Sequence, residues 1–406
     1  MAITTGPMAF RKAIARALVA IAVLGMGIRP ASAALTRSFI PLPEILTDPN
    51  EGNTYGFLPV VLFLDEQKII KYILASDVRY NKITGVHPTF RLFGYPSIYQ
   101  KWSIVLGKSQ HIDQDYELRY EDNAFWQGRA RLFANAEFED DSSERFFGFG
   151  NGSPQKGESN YTAQETNLLA WLAYSLQPTL SLTYQARVRV FRVKQGGVDT
   201  LPFIGVEHPG TPGLGGATIV GQEVGFLYDT RDDTNIPHQG AFGLLSAEVV
   251  SQALGSSLSF VKYAGEARKF IPIRERIVLA MHARADYLQG PDDVPFFEQN
   301  EVGGHRSLRG FGSGRFVDKD RFFASAELRT RVYQREIFGV NAHLELAPFV
   351  DFGQVFHTSR DSPFNDLHAV GGLGFRGVVP PQVVGFVDVG MGDQGLTAFT
   401  GLDYPF

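Results

Sequence analysis

The sequence predicts an all-β chain, a transmembrane antiparallel β-barrel of 16 strands. Three observations predict it. Apolar and polar residues alternate over runs of ten and more residues. Beyond the first thirty-three residues no stretch reaches 18 apolar residues, so no transmembrane helix is expected. The composition, 44% hydrophobic and 20% charged at a mean hydropathy of −0.08, is too apolar for disorder and too polar for a polytopic helical membrane protein.

The elements follow in chain order. Arg11, Lys12 and Arg16 precede an uncharged apolar run from Ala17 to Ile28, then Pro30 and the triplet Ala31-Ser32-Ala33. This is the pattern of a secretory signal peptide over 1–33, and its apolar run is too short to anchor in a bilayer. The segment carries Arg29 and the three other basic residues and no acid, so its removal takes the formal charge from −5 to −9. A nucleic-acid partner is not expected at that charge. The absence of Cys excludes a disulfide scaffold, a thiolate metal site and cysteine catalysis. Residues 34–54, rich in Pro and polar groups, are expected to be a short periplasmic lead-in, and 55–406 the barrel.

Within the barrel, Phe322, Ala324, Ala326, Leu328, Thr330 and Val332 fall on one face, with Ser325, Glu327, Arg329, Arg331 and Tyr333 on the other. Ala342, Leu344, Leu346, Val350, Phe352 and Phe356 likewise oppose Asn341, His343, Glu345 and Asp351, and Ile277–Tyr287 alternates in the same way. The first face suits lipid and the second a wet lumen, with Arg187, Arg189, Glu327, Arg329, Arg331, Glu345 and Asp351 as lumen charges of both signs. Seventeen strand-like runs can be marked, twelve before residue 289 and five after 321. Single-chain bacterial barrels have even counts, which sets the expectation of 16.

Residues 289–321 are 33 residues without alternation, and a connection that long is usually functional. It contains Gly303, Gly304 and Leu308-Arg309-Gly310-Phe311, so it combines a foldable backbone with a planar guanidinium. Forty-two residues after Arg309, Phe349-Val350-Asp351-Phe352-Gly353 places a carboxylate on the lumen face. Leu308-Arg309-Gly310-Phe311 is similar to the (Val/Ile)-Arg-Gly-(Phe/Tyr) tetrad of the BamA/TamA superfamily, the bacterial surface antigen family, departing by Leu at the aliphatic position. Phe349-x-Asp351-x-Gly353 matches that family's (Phe/Gly)-x-Asp-x-Gly motif in full. One strand separates the loop from the Asp-bearing run and three follow it, as in the family. The runs Phe147-Gly148-Phe149-Gly150-Asn151 and Asp229-Thr230-Arg231-Asp232 also look like family segments. The chain ends in Gly401-Leu402-Asp403-Tyr404-Pro405-Phe406, where Gly401, Tyr404 and Phe406 resemble the C-terminal signature of bacterial outer-membrane barrels and Pro405 departs from it.

The resemblance implies that the loop returns into the barrel and that Arg309 bonds Asp351, a pair contributing about 1–3 kcal/mol in a partly wet lumen. It implies a place in the bacterial outer membrane among its lipids, with unfolded outer-membrane or secreted proteins as clients. Members that receive such clients usually carry periplasmic POTRA domains; 34–54 is too short for one, so a separate periplasmic partner would have to capture them. Three functions remain open: insertion or translocation of proteins through a seam between first and last strands, which Gly395, Gly401 and Pro405 would weaken; a loop-plugged pore or lipid-handling barrel; and a structural, adhesin-like surface barrel. No enzyme, cofactor or metal is expected. Gly372–Gly377 satisfies GxGxxG with no helix after it, Gly107-Lys108-Ser109 lacks the leading P-loop glycine, and neither GxSxG nor HExxH occurs.

Overall fold

The computed structural model describes residues 35–337, 340–358, 366–379, 383–402 and 404–406. The proposed signal segment 1–33 lies outside the described residues. Nineteen strand segments form one antiparallel sheet in which sequence neighbours pair. They are β1 (Thr36–Asp48), β2 (Gly52–Leu64), β3 (Ile70–Ala75), β4 (Asp77–Asn81), β5 (Gly85–Gly94), β6 (Gln100–Lys108), β7 (Gln114–Phe125), β8 (Ala130–Phe146), β9 (Ser159–Gln177) and β10 (Leu180–Gln195). β11 (Ala217–Asp229), β12 (Gly240–Val250), β13 (Phe260–Arg274) and β14 (Ile277–Gln289) precede the long loop, which holds a small hairpin of β15 (Asn300–Val302) and β16 (Phe316–Asp318). β17 (Asp320–Ile337), β18 (Val340–Phe356), β19 (His368–Val379), β20 (Val383–Gly392) and β21 (Gly395–Leu402) complete the sheet.

The strand number corrects the expected 16. β3 and β4 are separated by Ser76 alone and share the partners β2 and β5, so they are one broken pass and the sheet makes eighteen. The even count is restored by adding a strand, not by discarding one of the seventeen runs. The added strand is β1, in the segment expected to be a lead-in, and it pairs with β2 from Thr36↔Leu64 to Asp48↔Gly52. Pro41 and Pro43 hid it. On a strand laddered on one side only, half the N–H groups have no partner, so proline is tolerated.

The short connections, such as 178–179 and 275–276, lie at one end of the sheet, and the longest, 196–216 and 290–319, at the other. Leu182, Tyr184, Val224, Phe226 and Tyr228 are exposed on the outer face, while Arg187, Arg189 and Phe191 point inward. The expected facing fails at Tyr333. A register shift between Arg331 and Tyr333 turns that ring outward, where it is 55% exposed.

The two ends of the meander meet. The Thr400 hydroxyl on β21 accepts from the Thr47 amide of β1 at 2.7 Å and donates to the Ile45 carbonyl at 3.3 Å. Among the described residues no backbone register joins β1 to β21, whereas every other neighbouring pair in the meander has one.

Deleting residues 36–48 should abolish the compact, heat-modifiable band in a detergent gel, because β2 loses its whole ladder on that side. A band that persists would show the segment to be a lead-in after all.

Candidate functional site

The site forms where the long loop re-enters the barrel. Side chains two residues apart on a strand share a face. Ser325, Glu327 and Arg329 of β17 therefore line the lumen beside Phe349, Asp351 and Gly353 of β18, and all six are less than a tenth exposed. Arg376 of β19 and Asp388 of β20 continue the same wall, both fully buried. The F-x-D-x-G spacing thus turns three chemically different positions toward one point. Phe349 supplies a ring, Asp351 a charge, and Gly353 space, since a Cβ there would stand 3.0 Å from the Phe323 Cβ and 3.3 Å from the Leu308 Cδ2.

The loop meets this wall through Leu308-Arg309-Gly310-Phe311. Leu308 and Phe311 are buried in an apolar cluster with Val302, Phe316, Phe323, Phe349, Val355 and Val370. The tip is folded by the bonds from the Phe311 amide to the Leu308 carbonyl and from the Gly304 amide to the Phe311 carbonyl. Gly310 is needed for close approach: a Cβ there would lie 2.8 Å from Val370 and 2.9 Å from the Gly392 nitrogen. Across from it, a Cβ on Gly390 would strike the Arg309 carbonyl. The Gly310 carbonyl accepts from Thr397 at 2.9 Å.

Arg309 is 1% exposed and fully engaged. Its Nε and Nη2 donate to the two oxygens of Asp351 at 3.0 and 2.8 Å, a bidentate fork, and its amide donates to Oδ2 at 3.2 Å. Nη1 reaches Glu327 at 2.7 Å and Asp388 at 3.3 Å, and Nη2 reaches the Ser325 hydroxyl at 3.1 Å. Ser325 in turn donates to Asp351 at 2.6 Å. The guanidinium lies 3.4 Å from the Phe349 ring centre. Arg376 donates to Asp388 and, at 3.1 Å, to Glu327; Arg329 donates to the other Glu327 oxygen at 2.8 Å. Three guanidiniums therefore balance three carboxylates, Glu327, Asp351 and Asp388. The expected pair is part of a buried six-charge network, which changes its energetics: removing one member leaves its partners buried and unpaired, at about 3–5 kcal/mol. Two glycines of the GxGxxG run serve this packing. A Cβ on Gly374 would approach Arg376 and Asp388 to 2.5 Å, and one on Gly372 would enter the Phe349 ring.

The remaining sequence candidates fall elsewhere. Gly401 stays in β21, but the strand ends at Leu402 and the next described residues leave the sheet, so Tyr404 and Phe406 do not face outward as the last residues of a strand. Tyr404 donates to Glu345 at 2.9 Å with Arg329 3.9 Å over its ring, and Arg329 Nη2 donates to the Phe406 carbonyl at 3.1 Å. Phe406 packs with Phe270, Val278 and Ala280. Pro405, which cannot extend a ladder, accounts for the departure. Glu345 also pairs with His343, and Arg331 lies opposite Glu345 in the β17–β18 register, outside the six-charge network.

Arg376, Asp388 and the loop residue Glu298 escaped the sequence reading, and Ser325 was placed on the lumen face with no role at the site. Asp388 had a usable signal, as the one charge in Val383–Gly392; Arg376 stood inside a run read for its glycines. Among the described residues no group of His, Cys, Asp or Glu is placed to hold a metal. What the arrangement can do is hold a loop in the lumen.

Comparison with known proteins agrees with the motifs. The sequence model described as the Omp85 superfamily domain matches residues 100–376. No curated protein matches the chain. Among solved structures, BamA from Haemophilus ducreyi lacking POTRA domains 1–3 aligns at 14% identity and a TM-score of 0.56, over 95% of this chain and 78% of that one. CdiB from Escherichia coli aligns at 14% identity and 0.50, over 92% and 67%. At these identities the likeness is one of fold.

Asp351→Asn, nearly isosteric, should destabilise the folded barrel by about 3–5 kcal/mol in denaturant titrations in detergent. The matched double variant with Arg309→Met should cost less than the sum of the two singles, because neither charge is then stranded. Gly390→Ala, which alters no charge, should also weaken the tip by displacing the Arg309 carbonyl. Strict additivity of the first pair would contradict a shared network.

Proposed function

The chain belongs to the Omp85 superfamily, and from that premise we propose that it inserts or translocates proteins at the outer membrane, using the seam between its first and last strands. It is an outer-membrane barrel related to BamA and CdiB. The observation that carries the proposal is the seam itself. Everywhere else along the meander the strands are bound by backbone ladders, which cost too much to open; at β1–β21 the described contact is the Thr400 hydroxyl, donating one bond and accepting another. An edge strand with unpaired N–H and C=O groups is a template for another strand. A client strand adding to β21 or β1 would exchange two side-chain bonds for a full ladder.

The lumen supports the same choice. Arg309, Leu308 and Phe311 fill it from the loop, and Tyr404 and Phe406 occupy it near β13, β14 and β17. A plugged interior argues against a barrel whose working parts are surface loops alone and is shared with the loop-plugged pore, from which the seam separates this reading. Clients would be unfolded outer-membrane or secreted proteins, the surrounding lipid would receive them, and a separate periplasmic partner would bring them to the seam.

The chain contains no Cys, so a seam cross-link can be placed without background. Unfolded model barrel protein should fold faster into liposomes containing this protein than into empty ones. The Ile45→Cys/Thr400→Cys variant, oxidised, should lose that acceleration and regain it on reduction. Equal rates in the oxidised and reduced forms would rule out the seam as the route, and no acceleration by the wild type would favour the plugged pore.

A further inference from the structure

The loop carries a second buried charge, of opposite sign, on a different wall. Glu298 ends the short 3-10 turn Phe296–Glu298, ahead of the tip, and is 1% exposed. Its Oε2 accepts from Lys262 Nζ at 2.7 Å and Arg187 Nη2 at 2.8 Å; its Oε1 accepts from Arg189 Nη1 at 3.0 Å and Arg187 Nη1 at 3.1 Å. Arg187 and Arg189 belong to β10 and Lys262 to β13, whereas the Arg309 network lies on β17 to β20. Arg189 also donates to the Phe297 carbonyl at 2.8 Å, and the Phe297 ring stacks 4.0 Å from Phe191 of β10.

We propose that Arg187, Arg189 and Lys262 form a carboxylate-binding site on the lumen wall, filled in this state by Glu298, which gives the loop a second anchor independent of Arg309.

The charge balance shows why the site selects a carboxylate. Arg187 is bound by Glu248 and Arg189 by Glu165, so the wall itself holds three cations against two carboxylates. Glu298 supplies the missing charge. With the loop withdrawn, one positive charge would be left over in a partly buried setting, and a carboxylate is the group whose two oxygens match the two guanidinium forks. Burial alone would raise the Glu298 carboxyl, but Lys262, Arg187 and Arg189 outweigh it and hold it well below the usual carboxylate range. The anchor therefore stays charged in mildly acidic solution. Two anchors on separate walls also mean that breaking the Arg309 network frees the tip without freeing the segment before it. The inference does not rest on the nature of the client.

Hydrogen exchange on the full barrel in detergent tests it. In Glu298→Ala the amides of 294–302 should exchange about tenfold faster than in wild type, a size usual for a lost buried network contact, while 305–314 stay as in wild type. Sodium formate should restore protection to 294–302, and sodium chloride at equal ionic strength should not. In Arg187→Met/Glu298→Ala, formate should have no effect. Should the alanine variant fail to fold, Glu298→Gln gives the exchange readout at 294–302 with the shape retained, and faster exchange there is again the expected result. Unchanged exchange at 294–302, or equal action of formate and chloride, would overturn the proposal.

Discussion

A guanidinium with 1% exposure has no water to solvate it, and the chain around Arg309 is arranged by that fact. An isolated buried charge would cost more than the loop's apolar contacts return, so its donors must reach acceptors held in advance by the wall. Asp351, Glu327, Asp388 and Ser325 come from three different strands, and their convergence requires the β17–β18–β19–β20 register to be correct throughout. The loop conformation and the register of this wall are in that sense one constraint. A one-residue slip of β18 would turn Asp351 outward and take away the acceptor of the Arg309 Nε and amide.

The same logic repeats with the sign reversed at Glu298, and extends to the far end of the network through Arg329. That side chain binds Glu327 on one side and the Phe406 carbonyl on the other, so the last residues of the chain are tied to the charges that hold the loop tip. Both occupants of the lumen thus depend on charge balance within the barrel, while its outer face is held by apolar residues that contribute nothing to selecting the loop's position. Two mechanical elements are thereby separate: an interior pinned by charge at several points, and a β1–β21 contact in which, among the described residues, no backbone register is formed.

Much of this was legible in the sequence. Period-two alternation located the barrel strands because it follows directly from the pleat, and the Phe349-x-Asp351-x-Gly353 spacing was readable for the same reason. Arg309 stood out as a cation amid glycines in a loop too long to be a mere connection. What could not be read depended on partners far apart in the chain. Arg376 and Asp388 had no local signal joining them to residue 309, and Glu298 looked like any loop acid until β10 and β13 brought three cations to it. β1 was missed because its prolines signal a break wherever a strand has two neighbours, and only the seam makes them acceptable. Tyr404 and Phe406 were matched to a strand-end signature, but Pro405 ends the ladder before them.

Held by the Arg309 network, the loop should reside in the lumen in a membrane as well. With no native Cys, spin labels at Arg306→Cys on the long loop and Asp199→Cys in the connection 196–216 report the distance between them directly in lipid vesicles. One narrow distance distribution is expected for this pair, broadening when Arg309→Ala is added. A broad distribution with Arg309 intact, or one that Arg309→Ala leaves narrow, would contradict it.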